Sequence, residues 1–202
     1  MDQEPLRGKL TGAGSVVALV LLEWTVGWVA GAAWTQSWKT VKRGHFRITA
    51  WSTGVLGALA LVAFRASSPD GATVQSGLVI ATVAAVFLYL GAQYLESDGP
   101  AVVTGALVGI LGASALGAIG GLVEGWSAVI AGATLIVGAL FLGAVTNGMM
   151  LGHWYLNQPG LKPWALARLT QAALVSVALS GALGSIAAGK LAGAETEGAI
   201  LG

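Results

Sequence analysis

Along most of the chain apolar residues follow one another without a polar face returning every third or fourth position, so the segments are not amphipathic surface helices. A helical membrane crossing needs about 20 predominantly apolar residues. The breaks between runs place six of them, near 13–35, 46–65, 74–95, 100–122, 126–156 and 163–188. Those breaks run from Lys39 to His45, Ser67 to Gly71, Glu96 to Pro100, Glu124 to Trp126 and Asn157 to Pro163. Lipid offers the backbone no hydrogen-bond partner, and runs this long without strict alternation predict helices and not a barrel. The expected fold is an all-α polytopic membrane bundle of about six transmembrane helices, a single domain over 1–202.

Composition agrees. Charged residues make up 9% of the chain, against about 25% in a soluble domain. The 202 residues include no cysteine, which excludes disulfides, thiolate metal sites and thiol catalysis. No phosphate-binding loop, dinucleotide fingerprint, nucleophile elbow or zinc-protease motif is present. The basic stretch is too short for nucleic-acid recognition, so the expected partners are the lipid bilayer and other membrane subunits or further copies of the chain. Whether the chain is an enzyme is not decided by the sequence.

Lys39, Lys42, Arg43, Arg47, Lys162 and Arg168 fall on one side of the predicted bundle, and Arg7, Lys9, Arg65 and Lys190 on the other. The excess predicts that the first side is cytoplasmic, with both termini outside a cell membrane. Arg7 and Lys9 before an apolar run imitate a signal peptide, but that run is too long and Glu23 interrupts it.

A partial repeat overlies this pattern. Leu90-Gly-Ala-Gln-Tyr-Leu95 recurs 61 residues later as Leu151-Gly-His-Trp-Tyr-Leu156, and Gly31-Ala-Ala-Trp34 lies 60 residues earlier. At the summed offset of 121, Arg47-Ile-Thr49 falls on Arg168-Leu-Thr170. Three hairpins of about 60 residues in parallel orientation are one reading; chance recurrence of glycine and interfacial aromatics is the other. In the fourth span Gly105, Gly109, Gly112, Gly117, Gly120 and Gly121 favour close helix approach, which points to a central place or a subunit contact.

Polar residues inside a membrane are expensive and therefore candidates for function. Glu23, flanked by Trp24 and Trp28, is the one carboxylate well inside a span. His45, at the start of the second span, and His153, near the end of the fifth, belong to the same side. Two imidazoles at similar depth suit the axial positions of a b-type haem iron, with a quinone as another possible ligand of that region. Arg47 and Arg168 are placed for haem propionates, Trp154 and Tyr155 for flat apolar walls, and Asn147 lies one or two turns deeper. Interfacial anchoring by the histidines and aromatics, and snorkelling by the arginines, explain the same residues without a cofactor. Three functions stay open: a redox or electron-transfer component, an accessory or structural subunit of a larger membrane complex, and a small-solute or proton-coupled transporter.

Overall fold

A computed structural model describes residues 9–10, 12–158 and 160–201, with side chains described as far as 186, apart from Asn157, and at 188. Six helices appear: α1 (Gly12–Ser37), α2 (Arg43–Ser67), α3 (Thr73–Ala92), α4 (Gly99–Ile119), α5 (Ala128–Asn157) and α6 (Pro163–Leu201), with one 3-10 turn, Gly120–Leu122, closing α4. All six are long and apolar enough to cross a membrane, and the fold is an all-α bundle compatible with a multi-pass membrane protein.

The helix ends follow from local chemistry. Pro100 in the first turn of α4 and Pro163 at the head of α6 sit where a missing N–H costs nothing. Ser127 caps α5 by accepting from the Ile130 N–H at 3.3 Å. Gly125, just before it, has φ +76°, a left-handed conformation open to glycine and strained for most other residues. Lys39 closes α1 in the same region, at φ 55°, and is the one non-glycine residue to do so among those described.

Each consecutive pair, α1 with α2, α3 with α4 and α5 with α6, packs together as a hairpin. The centre, however, belongs to α1, which meets α2, α4 and α5. Its small residues make this possible. Gly27 lies against the backbone of Ala139 and Gly143 on α5, Gly31 lies against Asn147, and Ala33 and Val26 receive Gly105 and Gly112 of α4. The glycines of α4 therefore do bring it onto the central helix, yet α4 itself flanks the centre. A second glycine seam, Gly120 and Gly117 against Gly132, joins α4 to α5 at the opposite end from the basic loops. There Lys9 donates to the Gly121 carbonyl and the Leu10 N–H to Leu122.

Positions aligned by the partial repeat do not have equivalent surroundings. Ala32 and Ala92 are buried in one apolar cluster, whereas His153 is exposed.

Candidate functional site at the basic end of the bundle

The loops after α1, α3 and α5 meet at one end, which gathers Lys39, Lys42, Arg43, Arg47, Lys162 and Arg168. His45 sits there in the first turn of α2, 1% exposed, with Phe46 edge-on at 5.0 Å and Trp154 edge-on at 6.0 Å between ring centroids. Its Nδ1 has no hydrogen-bond partner. One turn further along α2, Thr49 is also buried and its hydroxyl oxygen is likewise unpartnered.

His153 is not brought opposite it. The side chain that reaches His45 from α5 is Trp154, and adjacent residues on a helix point about 100° apart. His153 accordingly lies on the exposed side of α5. A haem held between two imidazoles needs a flat slot with both rings facing into it. Here one ring is enclosed by aromatic side chains and the other faces outward, so the residues present do not fit bis-histidine ligation. The His45 ring itself is 1% exposed.

The remaining residues expected at this site have other partners. Arg47 donates from Nε to the Gln93 carbonyl at 3.4 Å and lies over the Tyr94 ring, 5.1 Å from its centroid. Arg168 lies over two indoles, Trp164 at 4.6 Å and Trp38 at 5.7 Å. The Tyr155 hydroxyl donates to the Lys162 carbonyl at 2.6 Å and closes the α5–α6 turn. Gln158 ties that turn to the first loop: its Nε2 donates to the Thr40 carbonyl and its Oε1 accepts from the Lys42 N–H. Met149 is 71% exposed, which puts it on the outer face of α5. Among the described residues no three His, Asp or Glu side chains come together as a metal site.

Deeper in the bundle, Asn147 is fully buried. Its Nδ2 donates to the Trp28 carbonyl at 3.1 Å and to the Gly143 carbonyl at 2.8 Å, while its Oδ1 has no partner. Trp24 donates from its indole to the Thr146 hydroxyl at 2.9 Å. Glu23 is half-buried over Gly138, so close that a Cβ there would stand 2.7 Å from Oε2. It falls between Val26, which faces α4, and Gly27, which faces α5. No hydrogen bond or cation meets its carboxyl among the described residues.

No family model matches the chain, and no curated protein or solved structure matches it significantly. The geometry alone must carry the functional reading.

The most developed polar arrangement is one that sequence reasoning missed. Gln36 at the end of α1 and Gln93 just past α3 are each 2% exposed and exchange two amide hydrogen bonds, at 3.2 and 3.0 Å. Gln36 Nε2 also donates to Asp98 Oδ1 at 3.1 Å. The same oxygen accepts from Arg43 Nε at 2.9 Å, and the other guanidinium nitrogens donate to the Leu95 and Glu96 carbonyls. The sequence signal was present but faint: two glutamines in the last turn of two apolar runs, ending on the same side. Functionally, this network is a clamp. It fastens α1, α2 and the α3–α4 loop through charge-assisted bonds, the stronger kind.

Proposed function

We propose that the chain is a structural or accessory subunit of a membrane assembly, in the cell membrane with its basic end cytoplasmic, and that α6 is the helix that meets the partner. The observation that carries this reading is the unequal burial of the spans. Only 11% of the most apolar window of α6 is buried within the chain, against 33–50% for the other five. Beyond Ser176 the described residues of α6 are exposed except for a half-buried Leu183.

The exposed part is also rich in small residues. Ser180 with Gly184 and Gly181 with Ser185 are small pairs four residues apart, and a Cβ on either glycine would meet nothing within 4 Å. Small side chains give lipid little to pack against and give another helix close access. The test exploits the absence of cysteine: Gly181→Cys and Gly184→Cys in native membranes should cross-link to a second copy or another subunit, while Val129→Cys, 81% exposed on α5, should not. Cross-linking no greater than at Val129 refutes the reading.

One observation favours a second reading, proton-coupled transport, namely the uncompensated carboxyl of Glu23 within the membrane. Glu23→Gln in proteoliposomes should then abolish proton flux and leave assembly intact. Flux equal to wild type, or none in either, removes transport.

A further inference from the structure

Beside the clamp a cleft of about 490 Å³ opens between the end of α1 and the start of α4. Its polar wall holds Ser37, Lys39, Ser97 and Asp98, over the buried Gln36 amide; its apolar wall is Val102 and Val103 of α4, the latter 68% exposed on the membrane-facing surface. We infer that this cleft is a binding site for a phospholipid whose headgroup carries a primary ammonium, of the phosphoethanolamine class, with the acyl chains leaving along Val102 and Val103.

Three observations point to that chemistry. Asp98 Oδ1 is committed to Gln36 and Arg43, while Oδ2 accepts no hydrogen bond among the described residues and the side chain is 33% exposed. A carboxylate oxygen fixed in this way at an interface is an acceptor for N⁺–H, with the Ser37 and Ser97 hydroxyls as further acceptors. The opposite charge in the cleft lining is Lys39, the residue holding φ 55° where glycine is easier. Its ammonium suits the phosphate. A phosphocholine head offers no N–H to Asp98, and a phosphoglycerol head no cation. The site is independent of what α6 meets.

The experiment uses the full chain, delipidated in mild detergent, with native mass spectrometry reading bound lipid at equal concentrations of phosphatidylethanolamine, phosphatidylcholine and phosphatidylglycerol. Phosphatidylethanolamine should be retained about tenfold over either, the scale of one charge-assisted hydrogen bond. Lys39→Gly keeps a backbone that glycine tolerates and removes the contact to the phosphate that all three lipids share, so it should fold normally and retain less of each. Equal retention of the three lipids overturns the inference, as does unchanged phosphatidylethanolamine retention in Lys39→Gly. Soluble O-phosphoethanolamine at the same concentration should compete weakly. If it displaces the lipid completely, the site is for a soluble phosphate ester and the lipid assignment fails.

Discussion

The seam between α1 and α5 makes the sharpest stability prediction. A Cβ on Gly143 would overlap the Gly27 carbonyl group, and one on Gly27 would overlap Ala139. The obstructing atoms are backbone, which cannot rotate away as a side-chain tip can. Gly143→Ala therefore has to push the two helices apart. Overpacking of this kind costs about 1–3 kcal/mol. The same displacement stretches the Trp24–Thr146 bond at 2.9 Å and the Asn147–Trp28 bond at 3.1 Å, which flank the contact; loss of one adds about 1 kcal/mol. Alanine returns up to about 1 kcal/mol of helix propensity. With that return in full, the net is a destabilisation of about 1–3 kcal/mol, roughly a 5- to 150-fold fall in the folded-to-unfolded ratio. Gly77→Ala in α3 is the control, because its Cβ would meet nothing within 4 Å; it should stabilise by about 0.5–1 kcal/mol. Equilibrium unfolding in mixed micelles, followed by tryptophan fluorescence, resolves both. Shifts of the same sign, or a Gly143→Ala midpoint equal to wild type, would refute the packing argument.

Gln36→Leu strands the buried Gln93 amide and should cost about 2–4 kcal/mol, yet adding Gln93→Leu should recover part of it; additive losses in that double-mutant cycle would show that the two amides are not coupled. Arg168→Lys keeps the charge but loses the planar stack on Trp38 and Trp164, which predicts a loss of about 0.5–1 kcal/mol and a changed tryptophan emission spectrum; an unaltered spectrum speaks against the stack. His45→Leu removes a buried ring whose Nδ1 has no partner, so thermal stability should hold within about 1 kcal/mol or rise. A large loss there would mean that the imidazole is held by something other than Phe46 and Trp154.

The helices were legible because the membrane imposes one rule on every span: length and unbroken apolarity. Pro100, Pro163 and the glycine-bearing breaks set their ends within a few residues, although α6 runs on to Leu201 and α4 closes in a 3-10 turn. What faces what was not legible. A single step along α5 turns the helix by about 100°, so Trp154 against His45 and His153 outside are separated by one residue that no spacing rule distinguishes without knowing where α2 lies. Arg47 and Arg168 were read as one anion-binding pair, and each instead sits on its own aromatic surface, Tyr94 for one and Trp38 with Trp164 for the other. The clamp was missed for a related reason. Gln36 with Gln93, and Arg43 with Asp98, lie 57 and 55 residues apart, and their pairing depends on α1, α2 and the α3–α4 loop meeting at one end.

Two kinds of interaction divide the work of holding this bundle. At the basic end, where water is near and charges are cheap, Arg43, Asp98 and the two glutamines bind α1, α2 and the α3–α4 loop. Within the membrane, where apolar side chains gain little by leaving lipid for protein, the close approach of Gly27 to Gly143 and of Gly105 and Gly112 to Ala33 and Val26 does the work instead. The helix α6 has neither over most of its length. Leu161 just before it, and Ala165, Leu169 and Ser176 along its first turns, are buried; beyond them its described glycines face open space. The first five helices are thus held together around α1, whereas the orientation of α6 is fixed at one end only. A second copy or another subunit against its small-residue face would supply the close contact that every other helix already finds inside the chain.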